Sequence, residues 1–522
     1  MCNRFVLLFL SGCVTFMSAQ TLARACPRPL AGSAVTAPAD LYSANGRLAT
    51  PLSFQGSVGA DGLAHYCYVS DQGEAPTLRL RPGDELVLTL KNDLTPAQPG
   101  SVEHHHHGTG DCAGKQMTAA STNLHFHGLN IPPTCHQDEV IHTMIQTGDP
   151  DFEYRVKIPA TQPPGLYWYH PHPHGFSEEQ VLGGASGALI VEGIERLRPD
   201  VAGLPERILI LRDQATPNRG AADSDDAKGK DISLNFVPIA SPLSLPAVLP
   251  VRPSQREFWR VLNASADTFF DLQFVVRLDG QIASAAQPLE LVALDGAPLQ
   301  ASKPTHILLP AGGRAEFLVT TPPDGAFAQL VTRGYDTGPD GERTPARVIA
   351  NIISRPTNPP AASTIPASPR GAGNVISLSS AAPSRQRKLY FSEDPSGNPR
   401  KYFITVNGST PKPFDMNFQK PDITVRQGTV EDWTIENRAR EAHSFHIHQL
   451  HFQVMQRNGT PVDAANLRDT IDLPYWDGGS NYPSVTLRMD FRDPGIVGTF
   501  LYHCHILEHE DAGMMGSIQV IP

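Results

Sequence analysis

The chain lacks a basic excess. Lys and Arg total 42 against 53 Asp and Glu, giving a net charge of −11 and a pI near 6.0. A protein that neutralises phosphates needs the opposite sign on at least one face, so nucleic acid is not an expected partner. An apolar run long enough to cross a bilayer, which takes about 20 residues, is also missing. The nearest candidate, Phe5-Val-Leu-Leu-Phe-Leu10, weakens before Met17. With 18% charged and 40% hydrophobic residues, the composition is too mixed for a disordered chain and too polar for a multi-pass membrane protein. A nucleophile elbow is absent too. Gly184-Ala-Ser-Gly187 is one residue short of G-x-S-x-G, so no hydrolase triad is indicated.

Proline is in surplus, with 48 Pro beside 43 Gly in 522 residues. Proline breaks helices and central strands. A helical bundle is therefore excluded in favour of short strands joined by many turns. The length predicts three or four domains.

The first residues read as a targeting segment. Arg4 precedes the apolar run, and small residues lead to Ala23-Arg-Ala25, an A-x-A cleavage signal just before Cys26. Residues 1–25 are thus expected to be a signal peptide and the protein to be exported, periplasmic or secreted. Leu10-Ser-Gly-Cys13 also resembles a lipobox, so lipid anchoring at Cys13 is the alternative. Cys26, Cys67, Cys112 and Cys135 lie in the first third of the chain and could form two disulfides, with three connectivities open. Cys504 is left alone near the C-terminus.

One grammar recurs along the chain. Thr77-Leu-Arg-Leu-Arg81, the turn Pro82-Gly83 and Glu85-Leu-Val-Leu-Thr-Leu-Lys91 alternate as half-buried antiparallel strands do. The pattern returns at Asp422–Asn437 and, more weakly, at Val251–Asn263. Three strand–turn–strand units at wide spacing predict three related β-sandwich domains. Composition places domain 1 at 26–197, domain 2 at 198–354, a Pro/Ala/Ser-rich linker at 355–384 and domain 3 at 385–522. The polar stretches 95–122 and 216–231 read as surface loops. The first contains His104-His-His-His107, read as a solvated loop or as transient metal capture.

Histidine carries the chemistry. With 20 histidines, chance predicts roughly 0.8 His-x-His in the chain. Outside the 104–107 run there are five: His125/His127, His170/His172, His172/His174, His446/His448 and His503/His505. On a strand, residues i and i+2 share a face, so each pair delivers two imidazoles to one place. Four such pairs supply eight neutral nitrogen donors, enough for a cluster of copper ions. The segment His503-Cys-His-Ile-Leu-Glu-His509, followed by Met514, is the most specific. If it is extended, Cys504 faces away from His503 and His505. Cys504, His509 and a third histidine, most naturally His443, then make a His₂Cys blue-copper site with Met514 as weak axial thioether.

These motifs resemble the multicopper oxidases of laccase type, in the style of bacterial three-domain enzymes. The resemblance rests on Leu124-His-Phe-His-Gly128, Trp168-Tyr-His-Pro-His172, His443-Ser-Phe-His-Ile-His448 and His503–His509 with Met514. It implies an all-β fold of three cupredoxin-like Greek-key β-sandwich domains and four copper ions. The type 1 ion would take His443, Cys504, His509 and Met514. The type 2 ion would take His125 and His446, and the binuclear type 3 pair His127, His170, His172, His448, His503 and His505. His174 leaves open a shift of ligation to His172/His174. The cluster would sit between domains 1 and 3, with domain 2 as spacer and wall of the substrate side.

The implied reaction couples four one-electron oxidations of a reducing substrate to reduction of O₂ to water. Electrons would enter through an exposed His443 and pass by Cys504 to His503 and His505. The resemblance points to Asp138 and Glu510 as acids supplying protons, with Glu139 as neighbour to the first. Of the nine methionines, Met1 and Met17 fall in the signal, Met514 is the axial ligand, and Met117, Met144, Met416, Met455, Met489 and Met515 are scattered, which favours an open pocket at His443 for phenolic or aromatic donors over a dedicated Cu(I) or Mn(II) site. The oligomeric state is open, with a monomer favoured.

Overall fold

The recurring strand–turn–strand unit is a corner between two sheets. Thr77–Leu80 and Glu85–Asn92 do not pair with each other. The first lies in a sheet ordered Asp40–Tyr42, Thr77–Leu80, Gly187–Val191, Gly165–His170, His125–His127. The second lies in the facing sheet with Ala64–Ser70, Arg47–Val58 and Phe152–Lys157. The corners Ala247–Val251 to Arg256–Asn263 and Ile423–Arg426 to Val430–Asn437 divide in the same way.

Register repeats with them. Each corner's first strand runs parallel to the last strand of its unit: Thr77–Leu80 with Gly187–Val191, Ala247–Val251 with Arg347–Ser354, and Ile423–Arg426 with Met515–Ile521. Each second strand runs parallel to the unit's early long strand: Arg47–Val58, Glu206–Ala215 or Arg385–Asp394. The antiparallel reading of the first strands is therefore corrected. A corner carries the chain across the sandwich, so these strands cannot fold back on their neighbours.

The structure is a computed structural model and describes residues 26–522 except 60–61, 95–111, 113–116, 216–229, 241–244, 278–284, 359–376, 398–399 and 463–465. The expected signal segment, Cys13 and His104–His107 lie outside the described residues, as do most of the linker and of the two loops. Six sheets form three stacked pairs, an all-β fold of three cupredoxin-like sandwiches. Each pair encloses its own apolar core; Trp259 and Trp433 are buried in the second and third, whereas Trp168 is buried between the first and second sandwiches. No described helix is long and apolar enough to cross a membrane. Disulfides join Cys26 to Cys67 and Cys112 to Cys135, while Cys504 is free and buried.

Two contacts lock the first and second sandwiches together. Leu166, Trp168, Ala188 and Ile190 pack on Ile208, Ile210, Leu262 and Ala264, and full burial of a large apolar side chain stabilises by about 1.5–3 kcal/mol. Beside them Arg79 binds Asp40, Glu192 and Glu206, and Arg260 binds Glu206 and Glu316. Thr77–Leu80 is thus buried on both faces. Between the first and third sandwiches, Asp511 accepts the N–H groups of Gly175, Ser177 and Glu178 at 2.8, 3.3 and 2.8 Å. This ties the helix Ser177–Leu182 to the helix Leu507–Asp511.

Candidate metal centres

Two strand pairs, one in each outer sandwich, hold the histidines. His125–His127 runs antiparallel to Gly165–His170, placing His125 opposite His170. His443–Ile447 runs antiparallel to Gly498–Cys504, placing His446 opposite His503 and Phe445 opposite Cys504. Period-2 alternation then turns His125, His127, His446 and His448 towards one another across the interface between sandwiches. The His125 and His448 rings stack at 3.9 Å and 14°, and those of His127 and His446 at 3.8 Å and 13°. Apart from His174, the His-x-His histidines are at most 1% exposed.

Their nitrogens converge in three groups: His125, His127 and His446; His127, His170 and His505; His172, His448 and His503. Within each, one donor atom per residue lies within 4.8 Å of the others. Of the His170-Pro-His172-Pro-His174 run, His170 and His172 enter these groups. His174 lies apart, its ring against Phe414.

These groups fit metal ions better than a hydrogen-bond network. His125 Nδ1 is 3.0 Å from Asp138, His127 Nε2 3.2 Å from Asp469, His170 Nδ1 2.9 Å from the Pro171 carbonyl and His446 Nδ1 2.9 Å from the Asp469 carbonyl. The opposite nitrogen of each ring is buried without a hydrogen-bond partner, and so are His448 Nδ1 and both nitrogens of His505. One nitrogen anchored and the other unsatisfied is the pattern of a metal-ligating histidine. His503 Nε2 lies 3.1 Å from His448 Nε2 and 3.5 Å from His172 Nε2. One proton cannot serve three such nitrogens, whereas one cation can. Burial and crowding by other imidazoles hold His125, His448 and His505 well below the usual histidine range. The same two causes, with the Arg314 charge, do so for His127 and His446. All five are neutral donors.

The fourth group lies on the other side of the Gly498–Cys504 strand. Cys504 Sγ is 3.6 Å from His443 Nδ1 and 3.8 Å from His509 Nδ1, and these nitrogens are 3.2 Å apart. Burial pushes the thiol up, but the hydrogen bonds and charges of the two imidazoles pull it down to about 6. Met514, wholly buried, shares the apolar core around Cys504 and accepts its N–H at 3.1 Å through the main chain.

The acids flank the histidines. Asp138 accepts the Phe126 N–H at 2.9 Å and the Gln449 side-chain amide, besides facing His125. Burial pushes its carboxyl up to about 8 against those two hydrogen bonds. Glu510 Oε2 is 3.0 Å from His503 Nδ1, and Oε1 is 3.5 Å from His172 Nε2. Glu139 faces His142 instead.

Two expectations are corrected. His443 is fully buried rather than exposed, because Phe391 stacks on its ring and Glu393 sits 3.3 Å from its Nε2. Likewise Tyr402 stacks on His509, and Glu441 lies 3.5 Å from its Nε2. Arg400 reaches both carboxylates at 3.6 Å. The scatter of the methionines along the chain does not hold in space for four of them, since Met117, Met144, Met416 and Met515 share one buried cluster. Sequence reasoning missed Asp469, Arg314, Gln449, Glu393 and Glu441. Only Glu441, two residues before His443, and Gln449, directly after His448, carried a positional signal.

Comparison with known proteins agrees with this geometry. Two multicopper oxidase profiles match residues 386–522 and 115–196. A multicopper oxidase of Staphylococcus haemolyticus is 26% identical over 459 residues, covering 85% of this chain and 81% of that protein. The cell division protein FtsP of Escherichia coli is 24% identical, covering 86% and 83%. Bacterial laccases match as well. Among solved structures, a multicopper oxidase of Campylobacter jejuni described as a metallo-oxidase superposes with a TM-score of 0.68 at 23% identity, covering 94% and 96%. The chain belongs to the multicopper oxidase family. It is an oxidoreductase of that family, which implies copper ions and the pairing of a reducing substrate with O₂.

Proposed function

We propose that the chain is a four-copper oxidase coupling one-electron oxidation of a small donor to four-electron reduction of O₂ to water. The carrying observation is the set of four buried donor groups, three of imidazoles and one of His₂Cys. Copper, when bound, supplies one-electron redox chemistry at a single donor-side ion and at a three-ion cluster. Cys504, His443, His509 and Met514 would hold the first. His125 and His446 would hold the type 2 ion, and His127, His170 and His505 with His172, His448 and His503 the type 3 pair. A copper-free scaffold has no need of these unsatisfied buried nitrogens. Cys504 links the two sites covalently through its neighbours His503 and His505. Asp138 faces His125 Nδ1, and Glu510 faces His503 and His172, so each carboxylate stands beside cluster histidines to pass protons inward.

On the donor side the sequence favours phenols, but the covering of His443 supports a second reading. Glu393 and Glu441, set against the two imidazoles, form an acidic approach suited to a reduced metal cation such as Cu(I), Fe(II) or Mn(II). The deciding assay compares kcat/KM for these cations and for dimethoxyphenol in wild type and in Glu393→Gln. A selective loss on cations supports the metal reading. Unchanged cation rates beside faster phenol turnover return the assignment to phenols. Absence of blue colour and of O₂ uptake in copper-loaded protein overturns the oxidase reading itself.

The domain limits 26–197, 198–354 and 385–522 are proposed on the three sheet pairs. Export is proposed on the N-terminal segment, and the two disulfides support it, since such bonds persist in oxidising compartments.

A further inference from the structure

We propose that Arg314, from the middle sandwich, is a positioning residue of the histidine cluster. Its guanidinium fork fixes Asp469, and Asp469 fixes which ring nitrogens His127 and His446 present to the metal. The inference rests on reading the eight histidines as a copper cluster.

Both guanidinium nitrogens of Arg314 donate to Asp469, one to each carboxylate oxygen, at 2.6 Å. Both residues are fully buried. The same carboxylate accepts the Thr470 hydroxyl at 2.8 Å and lies 3.2 Å from His127 Nε2. The Asp469 main-chain carbonyl lies 2.9 Å from His446 Nδ1. One residue thus anchors two stacked histidines by opposite nitrogens. His127 keeps Nδ1 free and His446 keeps Nε2 free, and these are the two buried nitrogens without partners. A planar fork gripping both carboxylate oxygens sets the plane of that group, which a point charge cannot do.

Arg314 is itself held by all three sandwiches. Its N–H donates to Asp295 at 2.9 Å, and its Nε donates to the Leu166 carbonyl of the first sandwich at 3.2 Å. Arg468 of the third sandwich donates to the other oxygen of Asp295 at 2.9 Å. The preceding loop also touches the cluster: a Cβ on Gly312 would lie 2.8 Å from the His505 ring. The middle sandwich is therefore more than a spacer, since it determines the ring orientation of one type 2 and one type 3 ligand.

Copper-loaded wild type is compared with Arg314→Lys, which keeps the charge but loses the fork, with isosteric Asp469→Asn and with the control Arg260→Lys. Arg260 is an equally buried ion-pair residue of the same sandwich with no contact to the histidines. The readouts are cluster copper retained against a chelator, the paramagnetic resonance signal of the type 2 ion, and the blue absorbance. Arg314→Lys should hold cluster copper about 10–100-fold more weakly, shift the type 2 signal and leave the blue absorbance intact. Arg260→Lys should leave the type 2 signal unchanged. Wild-type retention and signal in Arg314→Lys overturn the proposal, and so does an equal signal shift in Arg260→Lys. If Arg314→Lys fails to fold, Asp469→Asn decides on the same readouts: an altered type 2 signal upholds the proposal and a wild-type one overturns it. A wild type with no type 2 signal refutes the cluster assignment and this inference with it.

Discussion

Gly128 closes the Leu124-His-Phe-His-Gly128 motif, and its replacement can be worked through from the structure. Its φ is +86°, a conformation that costs an L side chain about 1–2 kcal/mol. A Cβ there would also lie 2.5 Å from Asp469 Oδ2, 2.6 Å from the Arg314 guanidinium and 3.0 Å from the Tyr167 ring. None of these atoms is a free chain end, since the first two form the buried bidentate pair. Parting such a pair costs about 3–5 kcal/mol, so Gly128→Ala should lose about 4–7 kcal/mol in total, a large share of a domain's 5–15 kcal/mol. Gly148 is the matched control. Its φ is +85° and nothing lies within 4 Å of its Cβ position, so Gly148→Ala should lose only about 1–2 kcal/mol. Guanidinium unfolding of the copper-free protein, followed by tryptophan fluorescence, reads the difference. With a slope of about 2–6 kcal/mol per molar, 3–5 kcal/mol separates the two midpoints by about 1 M. If the two variants agree within about 1 kcal/mol, the close packing of Gly128 on the Arg314–Asp469 pair is wrong.

Cys504→Ser should abolish blue absorbance and turnover while the eight histidines retain their copper; a blue or active variant, by absorbance and metal count, removes the thiolate from its proposed role. Asp138→Asn should slow reoxidation by O₂ in stopped flow and leave anaerobic bleaching of the blue centre at the wild-type rate, and equal reoxidation rates would take Asp138 off the proton path. Asp295 is buried, yet Arg468 and Arg314 hold its carboxyl below the usual range. Its contribution is therefore complete above the unfolded value of about 3.9 and is lost as pH falls through the lower folded value. The stability gap between wild type and Asp295→Asn should shrink as pH drops from 6 towards 3 in acid-unfolding curves, and a gap independent of pH would contradict the assigned charge.

The His-x-His pairs were legible because strand alternation is local: once His125–His127 or Gly498–Cys504 is extended, the facing of its side chains follows. The split between Cys504 and its two neighbours was legible for the same reason. Asp469 was not, because an acid between Leu467 and Ile471 looks like any strand-edge carboxylate until Arg314, 155 residues earlier, is brought against it. The cover on His443 was hidden likewise. Phe391 and Glu393 come from a strand that meets His443 only when the two sheets of the third sandwich stack. The three corners are legible as sequence units, but the antiparallel pairing expected of their first strands is not found, since a turn signal does not say whether the chain folds back or crosses to the facing sheet.

The two centres differ in what the chain needs to build them. Every donor of the His₂Cys group comes from residues 443–514, although the helix that carries His509 is also held by the first and second sandwiches. The histidine cluster cannot form within one sandwich. Its stacked pairs, His125 on His448 and His127 on His446, each take one ring from the first sandwich and one from the third. The carboxylate that orients His127 lies on the third sandwich and is gripped from the second. Docking of all three sandwiches is therefore the structural condition for the cluster, whereas the His₂Cys group draws its donors from the third alone. The buried charges at Arg79, Arg260 and Arg314 fit that difference. Unpaired buried charge is costly, so a displaced sandwich leaves these arginines without their carboxylates, and the geometry that aligns the eight histidines is the one that satisfies those pairs.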